Sequence, residues 1–248
     1  MKKILCPLLL FALYPFAGFG QEAPIPSCQT SDKICILEEL QGTIEGIEKE
    51  SWRDKAYREL AKSYTYEEQE DRAITLINKI QNPDTKALTI RGIGFAAADR
   101  DFAPKRYAAL FQKLTAEASK IDHPPSYGIA LTYIAMAQAF AGDNAGATLT
   151  AKSMENDALR HKAFGETAEI QAERGDYAAA TASIAHIDSL PFRNKAHRIV
   201  SKIFVQQGLI DEAYTTAQKI ENAYMKAQAL QLILNHDNPE EKIGKDSE

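Results

Sequence analysis

Five histidines, His123, His161, His186, His197 and His236, are the first candidates for metal binding or proton transfer. Two ligands on one helical turn must be three or four residues apart, and no pair of these histidines has that spacing. A zinc site is therefore not expected. No phosphate loop, dinucleotide fingerprint or G-x-S-x-G elbow occurs, so no cofactor is expected either. Glu166, Glu169 and Glu173 follow steps of three and four and share one helical face. Paired carboxylates of this kind can serve a helical glycosidase or transglycosylase, but solvated glutamates give the same pattern far more often. The candidates for chemistry thus favour a chain without catalysis of its own.

The cysteines point to a compartment. Lys2 and Lys3 precede an apolar run from Ile4 to Phe19, and Gly18 and Gly20 place small side chains where a signal peptidase needs them, before Gln21. Residues 1–20 read as a secretory signal; Pro7 and Pro15 interrupt the run, which is shorter than the roughly 20 residues a spanning helix needs. No later segment is apolar enough to cross a bilayer, so no membrane span is expected after cleavage. Cys6 leaves with the signal. Cys28 and Cys35 stay, with six residues between them, and two thiols in an exported chain usually pair. A disulfide there would staple the leader to the first helix; lipidation of Cys28 is the rival reading. Removing residues 1–20, which hold two lysines and no acid, takes the formal net charge from −5 to −7. So acidic a chain is a poor ligand for nucleic acid.

The elements that position these residues repeat. KAFGETAEIQAERGDYAAATASIAHIDS, from Lys162 to Ser189, aligns without a gap on KAHRIVSKIFVQQGLIDEAYTTAQKIEN, from Lys195 to Asn222, at an offset of 33. Ala163 falls on Ala196, Gly175 on Gly208, Ala180 on Ala213 and Ile187 on Ile220. A repeat of this length is one helix-turn-helix unit that must stack on a copy of itself to bury its apolar face. The marker alanines Ala56, Ala87, Ala130, Ala163, Ala196 and Ala227 recur at steps of 31, 43, 33, 33 and 31.

The columns follow from the markers. Twelve residues on come the expected turns, Glu68, Asp99, Gly142, Gly175 and Gly208. Five on come the small residues Ala61, Gly92, Ala135, Ala168 and Ser201, suited to a close helix crossing. Seventeen on come Ala73, Pro104, Ala147, Ala180 and Ala213; twenty-four on come Ile80, Phe111, Met154, Ile187 and Ile220. Gly92-Ile93-Gly94 reads as close packing within an apolar helix. The second unit is long, and its outer helix is expected to run through Phe111, Leu114, Ala118 and Ile121 and to project an extra turn or two before His123-Pro124-Pro125. Residues 21–33 read as an extended leader and 34–235 as the helical domain, opened by a capping helix near Asp32 whose buried stripe is Ile34, Leu37, Leu40, Ile44 and Ile47. Residues 223–235 read as a closing helix and 236–248 as a polar tail.

These columns resemble a diverged tetratricopeptide (TPR) array, carried most specifically by Gly175-Asp176-Tyr177-Ala178-Ala179-Ala180 and Gly208-Leu209-Ile210-Asp211-Glu212-Ala213. The resemblance covers about Trp52 to Asn235. It departs from the family in its short periods and in the loose placement of Pro83 and Pro191. It implies an all-α solenoid of about five helix pairs between capping helices, with the first helix of each pair lining a concave groove. The groove-facing positions would then include Lys55, Arg58, Lys62, Lys86, Lys162, Lys195, Arg198, Lys202 and Lys226, a basic ladder able to attract an acidic peptide or a carboxylate terminus. The plainer reading is a solvated face whose bases pair with acids of neighbouring units, such as Glu59, Glu166 and Glu169. Trp52, Tyr64, Tyr66, Phe95 and Phe140 are candidates for an aromatic hot spot, though core is the commoner fate at helical spacing. The expectation is an exported, periplasmic or secreted scaffold that holds a protein or peptide. An accessory or weakly glycan-active envelope protein, and a self-associating structural subunit, are the alternatives.

Overall fold

The computed structural model describes residues 28–238. The expected signal at 1–20, the leader as far as residue 27 and the tail from residue 239 lie outside the described residues. Among the described residues there are twelve helices and no strand. After α1 (Lys33–Glu45), long and short helices alternate. The long ones are α2 (Glu50–Tyr66), α4 (Pro83–Ala98), α6 (Pro124–Phe140), α8 (Asp157–Glu173) and α10 (Leu190–Gln206). The others are α3 (Glu70–Ile77), α5 (Pro104–Ala118), α7 (Asn144–Lys152), α9 (Tyr177–Ala185) and α11 (Ile210–Gln218), and α12 (Ala223–Leu234) closes the chain. Each long helix packs on the next long helix, and each shorter one folds back on the long helix before it.

The alternation follows from local chemistry. Gly142, Gly175 and Gly208 end α6, α8 and α10 at φ of 80°, 80° and 78°, where a side chain would strain the backbone. Asp143 and Asp176 then accept the backbone N–H of Gly146 and Ala179 and start the short helix within two residues of the glycine. Asn82, Asn156 and Asn222 cap α4, α8 and α12 in the same way. Asp32 does so for α1, where the sequence placed the start.

A main core runs through the stack, with a small second cluster of Ala139, Ala147 and Ile170 beside it. Ala61, Ala135 and Ala168 are fully buried at the crossings and Ser201 nearly so; Ala73, Ala147, Ala180 and Ala213 are fully buried beside them. Small residues let the backbones approach, and Ile80, Met154, Ile187 and Ile220, all buried, fill the space between units. Each such side chain contributes about 1.5–3 kcal/mol of apolar burial.

Polar side chains tie successive units together at the ends of the long helices. The Arg174 guanidinium, at the end of α8, donates to the Ala139 and Phe140 carbonyls at the end of α6. Gln207 repeats this one unit on, donating to Ala172 and Glu173 at 3.2 and 3.1 Å. These bonds give the Phe140 and Glu173 carbonyls at the helix ends a donor, while those of Ala139 and Ala172 also accept from the Gly142 and Gly175 N–H groups. At the other end Arg53, Arg160 and Arg193 each donate to the carbonyl six residues earlier, on Ile47, Met154 and Ile187.

The second unit departs from the columns. Its left-handed residue is Asp101, at φ 52°, and Asp99 is an ordinary right-handed cap at φ −78°. Residues 100–102 lengthen the turn, so Pro104 is an exposed first residue of α5. Counted from the helix cap, Tyr107 takes the slot of Ala73 and Ala180, and Leu114 the slot of Ile80 and Ile187. The Tyr107 hydroxyl accepts from Phe102 N–H at 3.0 Å and reaches the Ala97 carbonyl at 3.3 Å, closing the longer turn. Nor does the extension of α5 project freely: Leu114, Ala118 and Ile121 are buried. On α1, Leu37 and Ile44 face the core, whereas Leu40 is 41% exposed.

Candidate functional site

Two adjoining cavities open along the long helices. The larger, about 660 Å³, lies across α2, α4 and α6 and is lined by Arg58, Lys62 and Tyr66, by Arg91 and Phe95, and by Phe140, among others. The smaller, about 290 Å³, lies across α4, α6 and α8, with Tyr133, Met136, Lys162 and Glu166 in its wall. Leu88 and Arg91 belong to both. The lining residues sit on long helices, with Asp99 at the cap of α4. The alternation of long and short helices therefore sets the groove: the short helices cover the opposite side.

The cavities form where the groove carries large side chains with gaps between them. Gly92 leaves open the floor beside Lys62, whose Cβ stands 3.8 Å from where a Gly92 Cβ would be. Two residues on, Gly94 lets α6 approach: a Cβ there would come within 2.7 Å of Ala137 Cβ. Of the two glycines in Gly92-Ile93-Gly94, then, Gly94 makes the close crossing and Gly92 faces the cavity. Phe95 and Phe140 meet across the same crossing, their ring centroids 5.0 Å apart and their planes tilted by 57°.

The basic ladder is divided by the structure. Arg58 and Lys62 line the larger cavity and Lys162 the smaller. Lys55, Lys86, Lys195, Arg198, Lys202 and Lys226 line neither. Lys226 instead donates to the Gln218 carbonyl at 3.0 Å, closing the end of α11. Arg58 is paired at 2.7 Å with Glu59, the next residue of its own helix and not an acid of a neighbouring unit. Of the aromatic candidates, Tyr66, Phe95 and Phe140 meet in the cavity. Tyr64 is core, and Trp52 is 60% exposed beneath the Lys49 ammonium.

Arg91 was not among the residues the repeat columns singled out, and it stands at the centre of the groove. Its guanidinium lies 4.7 Å from the Phe95 ring centroid and 5.6 Å from that of Tyr133, within cation–π range. The signal was present in the sequence as the stripe Leu88, Arg91, Phe95 at steps of three and four. It was hidden because Arg91 is four residues past its marker alanine, between the positions two and six past the marker that Arg58 and Lys62 occupy.

Farther along, α8 brings Glu166, Glu169 and Glu173 to one face. The Glu169 carboxyl is raised above its ordinary value, by burial first and then by Glu166 and Glu173, while Lys195 opposes the shift. All three acids come from one helix, so they do not flank a cleft as a glycosidase pair does. Among the described residues no group of three or more His, Cys, Asp or Glu is placed to hold a metal ion. His197 is buried in α10, its pKa lowered to about 4 by burial and by Lys219 and Arg193. Cys28 and Cys35 form a disulfide with Cα atoms 5.6 Å apart, and among the described residues no helix is long and apolar enough to cross a membrane.

Set against protein-family models, curated proteins and solved structures, the chain finds no match.

Proposed function

We propose that this chain is an exported TPR-like solenoid of five helix pairs that works by holding an extended segment of another protein along its long-helix groove, without catalysis of its own. The observation that carries this reading is the larger cavity, where Arg58, Lys62 and Arg91 stand beside Tyr66, Phe95 and Phe140. Tyr66 and Phe140, 36% and 39% exposed, share this cavity with Phe95, so their aromatic surface is grouped in a concave site, which suits an apolar partner. The buried alanine columns and the three equivalent glycine turns support the stacked-pair architecture. Export to a periplasmic or secreted location is supported by the Cys28–Cys35 disulfide.

The test is recovery of a partner from envelope extract by the native chain and by an Arg58→Glu/Lys62→Glu variant, at low and high salt. A protein kept by the native chain, released by salt and lost by the variant supports the groove. Equal recovery by both chains removes the groove from the reading, and a salt-insensitive complex of the chain with itself favours a structural subunit.

A further inference from the structure

The groove has a chemical preference that can be read from Arg91. Most arginines of the chain already have acceptors: Arg58 pairs with Glu59, Arg72 with Glu38, Arg106 with Glu68 and Glu70, Arg160 with Asp157, and Arg193 with Glu221. Arg91 is exposed, and among the described residues no carboxylate lies within ion-pair distance of it. Its guanidinium lies over the Phe95 and Tyr133 rings, 4.7 and 5.6 Å from their centroids, and among the described residues no hydrogen bond or ion pair occupies its N–H groups. A guanidinium held in this way is prepared for a two-pronged bond to a carboxylate, because less side-chain freedom is lost when the bond forms.

We propose, on the reading that the groove holds a protein segment, that its occupant is an acidic segment bearing an aromatic side chain. The aromatic side chain fills the larger cavity against Tyr66, Phe95 and Phe140, and a neighbouring carboxylate meets Arg91 on the wall between the two cavities. Three observations meet in this choice. The larger cavity, at about 660 Å³, has room for a large side chain beside the three rings. Its wall carries Arg58, Lys62 and Arg91 against Glu59 and Asp99, and Glu59 is already engaged by Arg58. That wall is basic in a chain whose formal charge is −5, so the field of the groove selects against the sign of the rest of the molecule. Arg91 is the residue common to the charged wall and both cavities.

Fluorescence anisotropy with three labelled hexapeptides on the full, disulfide-intact chain tests this: alternating Asp and Phe, alternating Asp and Ser, and alternating Lys and Phe. The Asp-Phe peptide is expected to bind at least about tenfold more tightly than the other two, and to weaken as salt rises from about 0.05 to about 0.5 M. Arg91→Glu is expected to cost at least about tenfold, Arg91→Lys to retain part of the affinity, and Lys226→Glu to change nothing. Circular dichroism establishes that each variant is folded, and Arg91→Gln replaces Arg91→Glu if that one is not. Equal binding of the Asp-Ser or Lys-Phe peptide overturns the proposal, as does full affinity in Arg91→Gln or displacement by a short oligothymidylate as effective as the unlabelled peptide. If groove-dependent partner capture succeeds while the Asp-Phe peptide fails to bind, this proposal falls and the scaffold reading stands. If both fail, both fall.

Discussion

The stretch from residue 124 to 222 and the stretch from 50 to 121 build the same kind of stack with different materials. In the later stretch every long helix ends on a left-handed glycine, Gly142, Gly175 or Gly208. In the earlier one that conformation falls to Glu68 and Asp101, at φ 57° and 52°, and the second turn is longer. The polar interior differs as well. Thr150 donates to Gln138 and Ser183 to Gln171, each at 2.7 Å, where the first unit has Tyr64 and Leu76. The larger cavity nevertheless lies mainly on α2 and α4, the units whose pattern is least regular. Regular columns of small residues make helices pack closely and leave little room between them. The site opens where Tyr66, Phe95 and Phe140 stand around the bare backbone of Gly92, with no side chain from that position to fill the space between them.

Six substitutions put that contrast to work. The largest effect is expected at Gly94, because the irregular units still need one close crossing. Gly94→Leu must displace Ala137, whose Cβ would lie 2.7 Å from the new Cβ, and is expected to cost more than about 3 kcal/mol in urea unfolding. Gly92→Leu, two residues away on the cavity side, is expected to cost far less; equal losses would mean that the two glycines do not divide their roles.

The next effect belongs to His197 in the regular half. Its folded pKa of about 4 lies below the ordinary 6.5, so between those values the unfolded chain takes up a proton that the native chain refuses. This contribution is flat above about pH 6.5 and is lost as pH falls, approaching about 3 kcal/mol near pH 4. His197→Gln is expected to flatten that part of the pH–stability curve, and an unchanged slope would exclude the buried imidazole as its cause.

Turn chemistry gives a smaller, paired effect. Gly175→Ala is expected to lose about 1 kcal/mol, and Asp101→Gly to gain up to about 1 kcal/mol, as each position exchanges a suited residue for an unsuited one or the reverse. Equal signs would show that the two turns are not under the same backbone constraint. Smallest of all is the exposed Lys113–Asp71 pair between α5 and α3, where Lys113→Ala is expected to leave the unfolding midpoint unchanged.

The same contrast explains what could be read beforehand. Glycine turns and buried alanines are local requirements, so Gly142, Gly175, Gly208, Ala168 and Ala180 announced themselves in a single sequence, as did the cap at Asp32 and the pairing of Cys28 with Cys35. The longer second turn did not, since Asp101 carries no signal that distinguishes it from Asp99. The cavity was half legible. Arg58, Lys62 and Lys162 belong to the expected ladder, but which bases meet the groove depends on the side chains that the neighbouring long helices set opposite them. The groove takes in Arg91, at a different offset from its marker alanine than Arg58 and Lys62, and leaves Lys195, Arg198 and Lys202 outside both cavities.

The most direct test of the groove is site-specific photo-crosslinking in envelope extract, with a photoreactive phenylalanine analogue placed at Leu88 on the groove side or at Ala182, which is exposed on the short helix α9. The predicted result is a discrete adduct with another protein from position 88 alone, lost when Arg91→Glu is added. Adducts formed equally well from position 182, or undiminished by Arg91→Glu, would contradict a groove that holds its partner along the long helices.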